Sequence, residues 1–185
     1  MTRTLVLGGA RSGNSAYAES LAAAAGKEMI YIATAQAGDA EMQARIAHHR
    51  QQRSAMWVLV EEPLALGDAL LSWCAPHRVV LVDCLTLWLS NLLFSETANF
   101  PDIGVIAPPK VFHEQRARFL RALELVGGEL VLVSNEVGMG VVPYGAVSRC
   151  FADEAGRLNQ EVASRCERAV LVAAGLPLAL KGGAC

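Results

Sequence analysis

The chain has 185 residues, of which 53% are apolar and 18% are charged, and its formal net charge at pH 7 is −2. This size fits one domain over residues 1–185, and the apolar composition indicates that the chain buries much of its surface, part of it in a subunit interface. The near-neutral charge gives no indication of a nucleic-acid surface, so we expect no nucleic-acid partner. No apolar run reaches the ~18 residues that span a bilayer, and the sequence shows no signal-peptide core, so we expect a cytoplasmic protein. The five cysteines are widely spaced and form no C-x-x-C pair, so we expect neither a disulfide framework nor a zinc site.

The first predicted strand covers residues 3–7, and an alanine-rich helix is predicted at about residues 16–25. The loop between them has the form G-x-x-x-x-G-x-S, which is typical of P-loop proteins. Its glycines let backbone N–H groups surround a phosphate, and the helix N-terminus adds partial positive charge. An ordinary strand–turn–helix junction is the alternative. We predict a phosphate site formed by Gly8, Gly9, Ala10, Arg11, Ser12, Gly13, Asn14 and Ser15, with the Ser15 hydroxyl available to Mg²⁺.

Further strands are predicted from apolar runs at residues 29–34, 57–60, 79–83, 129–133, 169–173 and 176–180. Apolar residues at helical spacing, with N-cap and stop signals, predict helices at about residues 39–53, 64–74, 85–93, 112–126 and 146–165. Pro63 is expected in the first turn of the second of these helices. Residues 97–109 carry three prolines and no period, which predicts a loop. Alternating strands and helices indicate an α/β fold with a mainly parallel sheet, which ends in an edge hairpin.

Carboxylate and amide side chains follow two of the predicted strands. Asp83 ends the apolar run 79–83, which is the position of a Walker-B acid at the carboxyl end of a buried strand. Alternatively, Asp83 is the N-cap of the helix that follows. Asn135 and Glu136 come after another strand, where active-site loops gather. Glu61 ends a third strand and is uninformative by itself.

Two adjacent histidines lie on the predicted helix 39–53. His49 shares a face with Met42 and Ile46, which favours a packed structural role. His48 lies on the other side among polar and cationic neighbours. There it could act as a nucleophile toward a phosphate, or it could be a solvated surface histidine.

Six sequence blocks together resemble one known family. They cover residues 8–15, 31–35, 39–50, 83–86, 134–143 and 156–160, and the run S-N-E-V-G-M-G-V-V-P at 134–143 is the most specific. The family is that of the bifunctional adenosylcobinamide kinase / adenosylcobinamide-phosphate guanylyltransferases of cobalamin biosynthesis. The resemblance extends over nearly the whole chain.

The resemblance implies a RecA-like P-loop NTPase fold and two reactions. One transfers a phosphoryl group from ATP or GTP to adenosylcobinamide, and the other transfers GMP from GTP to the resulting phosphate. It further implies a covalent GMP intermediate on His48, assistance by Mg²⁺, and a homotrimer. By the same correspondence, the guanine nucleotide contacts Ala33, Thr34, Ala35, His49, Arg50, Gln51, Gln52, Glu61 and Asp83.

The phosphate loop departs from the family pattern at Asn14, where a lysine is expected. A charged donor bonds a phosphate about twice as strongly as a neutral one, so we expect slower phosphoryl and guanylyl transfer, partly offset by Arg11. Two alternatives stay open: a catalytically weak GTP-binding relative with a regulatory or binding role, and a generic small-molecule P-loop kinase. The second would never be labelled covalently, and the presence of His48 argues against it.

Overall fold

Seven strands form a single sheet in the computed structural model, which describes residues 2–35, 57–96 and 100–183. The strands are β1 (Thr2–Gly8), β2 (Glu28–Ala33), β3 (Val58–Glu61), β4 (Arg78–Asp83), β5 (Glu129–Asn135), β6 (Arg168–Ala173) and β7 (Leu176–Lys181). Their order across the sheet is β3-β2-β4-β5-β1-β6-β7. All neighbours pair in parallel except β6 and β7, which are antiparallel. The predicted parallel α/β sheet with a C-terminal edge hairpin is confirmed.

Five helices lie in the described ranges: α1 (Asn14–Ala24), α2 (Leu66–Trp73), α3 (Leu85–Leu93), α4 (Lys110–Leu125) and α5 (Ala146–Arg165). The predicted helix at 39–53 and residues 97–99 of the predicted loop lie outside the described residues. Residues 100–109 contain neither helix nor strand, as predicted. Within the described ranges, no helix has the length and apolarity needed to cross a membrane.

The expectation that Pro63 lies in the first turn of a helix is wrong, because α2 begins three residues later, at Leu66. The reason is a side-chain interaction that sequence spacing does not reveal. The Glu62 carboxylate accepts the backbone N–H groups of Leu64 and Ala65 at 3.0 and 2.7 Å. These two donors are therefore satisfied in a tight turn before the helix starts.

The sheet is covered on both faces. Helices α2–α5 pack on one face in a cluster that includes Leu70, Trp88, Phe119 and Leu158. Ala18 and Ala22 of α1 pack on the other face against alternate residues of β1, β4 and β5. Residues 79–82 of β4 are fully buried, which explains why this central strand is a continuous apolar run in the sequence.

The carboxyl ends of the parallel strands meet at one edge of the sheet. In the strand register, Gly8 pairs with Asn135, and Ala33 pairs with both Asp83 and Glu61. This edge is where ligands bind in open α/β sheets. The topology therefore gathers the phosphate loop and the polar strand-end residues in one region.

Candidate nucleotide site

The phosphate loop connects β1 to α1 through a short turn. The Ser12 N–H donates to the Gly9 carbonyl at 3.2 Å, and the Tyr17 N–H donates to the Gly13 carbonyl at 3.0 Å, which begins the helix. Gly13 has φ 94°, a left-handed conformation that residues with a side chain rarely adopt. A Cβ placed on Gly9 would meet no atom within 4 Å, so the loop leaves open space beside its backbone. The N-terminus of α1 adds partial positive charge to this space.

The turn of the C-terminal hairpin supports the loop from outside. The two turn residues, Ala174 and Gly175, have φ 51° and 78°, as a type I′ hairpin turn requires. The Gly175 N–H donates to the Ser12 carbonyl at 2.8 Å. A Cβ on Gly13 would lie 3.2 Å from the Gly175 Cα. The edge hairpin therefore fixes the backbone of the phosphate loop as well as closing the sheet.

The Asn14 side chain points into the protein and is only 7% exposed. Its Oδ1 accepts the Ser15 N–H at 3.0 Å, and its Nδ2 donates to the Asn135 Oδ1 at 3.0 Å and to the Ser134 carbonyl at 3.4 Å. Both polar ends of the amide are thus used within the chain. The residue in the place of the P-loop lysine connects the start of α1 to the end of β5.

These contacts continue into a buried polar network on the far side of β5. The Ser134 hydroxyl donates to the Asn159 Oδ1 at 2.7 Å, and the Asn159 Nδ2 donates to the Asn135 carbonyl at 3.1 Å. Asn159 lies on α5 and is 5% exposed. The backbone N–H of Glu136 donates to the Gly8 carbonyl at 2.9 Å. The end of β5 is therefore bonded to the loop, to α1 and to α5.

Asp83 lies at the same edge, two strands away from β1. The Tyr31 hydroxyl donates to its Oδ2 at 2.8 Å, and the Tyr31 ring stacks on Trp57 with centroids 6.3 Å apart. The alternative that Asp83 is a helix N-cap is wrong, because the N-cap of α3 is Cys84 and it makes no side-chain capping bond. Tyr31 instead holds the carboxylate in a defined orientation at the strand end.

The predicted nucleotide residues 33–35 lie beside Asp83. The Thr34 hydroxyl donates to the Cys84 carbonyl at 2.7 Å and lies 2.9 Å from the Cys84 N–H, from which it accepts. The Asn91 Nδ2 donates to the Thr34 carbonyl at 2.8 Å. Glu61 ends β3 next to Ala33. The residues of β2, β3 and β4 that were expected to contact guanine nucleotide thus lie on one rim of the sheet.

Cys84 adjoins this rim but does not suit metal or nucleophilic chemistry. Burial, assisted by the nearby charge of Asp83, raises the pKa of its thiol to about 11. The side chain is therefore a neutral thiol at pH 7, and a thiolate is the form that binds metals and attacks phosphorus. Among the described cysteines, Cys74, Cys84, Cys150 and Cys166 are free thiols.

The described residues fit a P-loop Mg²⁺ better than a metal held by protein alone. They include no group of three or more His, Cys, Asp or Glu side chains that could bind a metal. A P-loop Mg²⁺ needs only a hydroxyl and a strand-end carboxylate, because the nucleotide supplies other oxygens. Ser15 and Asp83 offer those two groups. In addition, the Ser12 hydroxyl is buried with no hydrogen-bond partner among the described residues, so a phosphate oxygen could satisfy it.

The structure therefore brings together the predicted loop residues 8–15, residues 33–35, Glu61 and Asp83 at one sheet edge. Ala10 and Arg11 are exposed on the loop, and Arg11 has φ 57°. The predicted nucleophile His48 and the predicted contacts His49, Arg50, Gln51 and Gln52 lie outside the described residues.

Several residues with a structural part in the site were not predicted, among them Tyr31, Asn159 and Gly175. Each has a weak sequence signal. Tyr31 is the one hydroxyl-bearing residue in the apolar run 29–33, and Asn159 is a polar residue next to the apolar stripe of α5. Gly175 lies between the two predicted strands of the edge hairpin, but its contact with the phosphate loop depends on the position of β6 beside β1, which only the topology reveals.

Comparison with known proteins agrees with this geometry. The family model described as cobinamide kinase / cobinamide phosphate guanyltransferase matches residues 4–180. The bifunctional adenosylcobalamin biosynthesis protein CobP of Pseudomonas aeruginosa is 51% identical over 97% of this chain and 98% of that protein. The corresponding protein CobU of Escherichia coli is 39% identical over 96% of this chain and 98% of its own length.

Among solved structures, a prototypical ATPase from the type III secretion system of pathogenic bacteria covers 92% of this chain and 50% of that chain, with a TM-score of 0.50 and 15% identity. At this identity the similarity shows the fold alone. The family match over almost the full length and the two relatives show more. The chain belongs to the cobinamide kinase / cobinamide phosphate guanyltransferase family.

Proposed function

We propose that this chain is a bifunctional transferase of cobalamin biosynthesis that phosphorylates adenosylcobinamide and then attaches GMP to the phosphate. The observation that carries this proposal is the family match over residues 4–180, on a chain whose phosphate loop, Asp83 and residues 33–35 share one sheet edge. ATP or GTP is the phosphoryl donor and GTP is the source of GMP.

In the kinase reaction, the loop backbone and the N-terminus of α1 hold the phosphates of the donor nucleotide. The aminopropanol hydroxyl of adenosylcobinamide attacks the γ-phosphorus. The bond from the γ-phosphorus to the β,γ-bridging oxygen breaks, the nucleoside diphosphate leaves, and the hydroxyl proton passes to solvent. Backbone donors already fixed by β1, α1 and the hairpin turn need no reorganisation as negative charge moves to the leaving group. Ser15 and Asp83 would hold Mg²⁺, which would supply positive charge to neutralise part of the phosphate charge.

In the guanylyl reaction, His48 is the proposed nucleophile. Its neutral imidazole attacks the α-phosphorus of GTP, so that a P–N bond forms and the bond to pyrophosphate breaks. A phosphate oxygen of adenosylcobinamide phosphate then attacks the same phosphorus, and the P–N bond breaks. The proposal rests on the family correspondence of residues 39–50, and His49, Arg50, Gln51 and Gln52 are proposed nucleotide contacts on the same ground.

A binding role without turnover is the second candidate, and a specific observation favours it. The Asn14 amide is neutral and both its polar ends are bonded within the chain, so the position of the P-loop lysine offers a triphosphate neither a charge nor a free donor. Such a protein would bind GTP and release it unchanged.

The proposed assembly is a homotrimer in the cytoplasm. Exposed apolar side chains support a subunit interface: Leu176, Leu178 and Leu180 of the edge strand β7 are 72%, 60% and 55% exposed. Large apolar side chains at this exposure commonly mark surfaces that another subunit covers.

Incubation with adenosylcobinamide, GTP and Mg²⁺, followed by liquid chromatography and mass spectrometry, tests the proposal. We expect adenosylcobinamide phosphate and adenosylcobinamide-GDP. The His48→Ala variant should form the phosphate only, which separates the two reactions. Binding of GTP with neither product would favour the binding role, and a chain that binds no nucleotide would contradict both candidates.

A further inference from the structure

The orientation of the Asn135 amide at the end of β5 is determined by its neighbours. The Ser15 backbone N–H can only donate, so the Asn14 atom 3.0 Å from it must be the oxygen. The other branch of Asn14 is then the NH₂ group, and its contact with the Ser134 carbonyl, which can only accept, agrees with this. The Asn135 atom that receives the Asn14 NH₂ must therefore be the Asn135 oxygen.

This chain of donors and acceptors leaves the Asn135 NH₂ group available. Its nitrogen makes no hydrogen bond within residues 2–35, 57–96 and 100–183. Asn135 is half-buried, and its strand lies between β1, which carries the phosphate loop, and β4, which carries Asp83. A donor group is thus held at the sheet edge between the loop and the proposed Mg²⁺ carboxylate.

We propose that the Asn135 NH₂ group donates to the terminal phosphate of the bound nucleoside triphosphate, and that Asn14 is the positioning residue that orients it. This inference rests on the proposed nucleotide-dependent function. The backbone of residues 8–15 and the start of α1 would hold the inner phosphates. Asn135 ends the neighbouring strand β5, where it pairs with Gly8 at the start of the loop. Asn14 acts through Asn135.

The arrangement has a physical advantage in a loop that lacks lysine. A hydrogen bond from an amide to a charged phosphate oxygen is stronger than one between neutral groups. Asn14 alone cannot supply that bond, because both its polar ends are bonded within the chain. By fixing the Asn135 amide before the nucleotide arrives, Asn14 removes the rotational freedom that a lone asparagine would lose on binding.

The inference predicts discrimination between triphosphate and diphosphate. Affinities for GTP and GDP are measured by calorimetry with Mg²⁺ in a His48→Ala background, which prevents covalent transfer. Asn135→Ala should weaken GTP binding by about tenfold and leave GDP binding nearly unchanged, since one charge-assisted bond is lost. Asn14→Ala should change the ratio of the two affinities in the same direction but less, because the Asn135 amide is then free to rotate.

Asn159→Ala is the matched control. Asn159 belongs to the same buried network but contacts Asn135 only through its backbone carbonyl, on the α5 side. Its loss should leave the ratio of GTP to GDP affinity unchanged. Asn135→Asp serves if the alanine variant does not fold: it keeps the acceptor for Asn14 and removes the NH₂ group, and it should lower the GTP-to-GDP ratio at least as much.

If Asn135→Ala weakens GTP and GDP equally, as a purely structural residue would, the inference is overturned while the proposed function stands. If only Asn135→Asp folds, an unchanged ratio of GTP to GDP affinity in that variant likewise overturns the inference. Failure of the starting protein to bind GTP at all would overturn the inference together with the proposed function.

Discussion

At position 14 a neutral amide has replaced the cationic side chain that P-loops use, and the structure shows where that amide is engaged. It bonds Ser15, Ser134 and Asn135 and remains 7% exposed. A lysine at this position would be long enough to extend past the end of β5 toward a phosphate and would carry a full charge. We therefore expect the exchange to weaken electrostatic stabilisation of the transferred group.

The variant Asn14→Lys should accelerate both phosphoryl and guanylyl transfer. The difference between a charge-assisted and a neutral contact corresponds to about tenfold in rate, or about 1.4 kcal/mol. Initial rates of the two products, measured side by side for both proteins at saturating substrates, check this expectation. Equal rates would show that Asn14 imposes no catalytic cost.

At the scale of the elements, glycines mark the closest contacts between helices. Gly67 of α2 lies against α4, and a Cβ there would approach the Arg118 carbonyl carbon to 2.8 Å and the Phe119 nitrogen to 2.9 Å. Backbone atoms cannot move away as a flexible side chain can. Gly156 of α5 provides the contrast, because a Cβ there would meet nothing within 4 Å.

The two substitutions should therefore change stability in opposite directions. Gly67→Ala should lower the free energy of unfolding by about 1–3 kcal/mol, because α2 and α4 must separate. Gly156→Ala should raise it by up to about 1 kcal/mol, because alanine has the higher helix propensity. Denaturant unfolding of both variants tests this, and a stabilised Gly67→Ala protein would show that α2 does not pack so closely on α4.

An ion pair joins the starts of β1 and β6. The Arg3 guanidinium bonds the Glu167 carboxylate at 2.7 Å, and this hydrogen bond is the main cause that lowers the pKa of Glu167 from 4.5 to about 2. A lowered folded-state pKa contributes stability above the unfolded value of 4.5, and that contribution is lost as the pH falls toward 2. Because Glu167 is partly exposed and solvent screens its charge, the ion pair contributes less than about 1 kcal/mol to the free energy of unfolding.

Glu167→Gln should therefore be less stable than the parent protein at pH 7, by less than about 1 kcal/mol. The difference should shrink between pH 4.5 and 2 and vanish at the acid end. Unfolding free energies at a series of pH values test this, and a difference that grows with acidity would refute the assigned role of the pair.

Most strands and helices could be predicted from the sequence, because their apolar residues recur at clear strand or helix spacing. Strand β4 is apolar without interruption, and Leu85, Trp88, Leu89 and Leu92 of α3 are all buried as their spacing predicted. The predicted helix start at Pro63 was wrong, because the Glu62 carboxylate accepts the backbone N–H groups of Leu64 and Ala65 in a turn before the helix. The links from Asn14 to Asn135 and from Ser12 to Gly175 join residues 121 and 163 positions apart. Such contacts follow from strand order, which local patterns do not contain.

For the whole molecule, the edge strand β7 is a surface that assembly should cover. Its alternate leucines are all exposed, although its partner strand β6 is largely buried. If β7 forms the interface of the proposed trimer, Leu178→Glu should shift the protein toward monomer, because burying an unpaired charge in an apolar contact is costly. Sedimentation velocity measures this, with exposed Leu125→Glu on α4 as the matched control. A variant that sediments like the parent protein would place the interface elsewhere.

The most direct test of the account is intact-mass spectrometry after incubation with GTP and Mg²⁺. If His48 is the nucleophile, an acid-labile GMP adduct should form and should be lost in His48→Ala. If an adduct forms only in Asn14→Lys, the fold and His48 are competent, and the missing lysine is the cause of the lost activity. No adduct in either protein would contradict the assignment of His48 as the nucleophile.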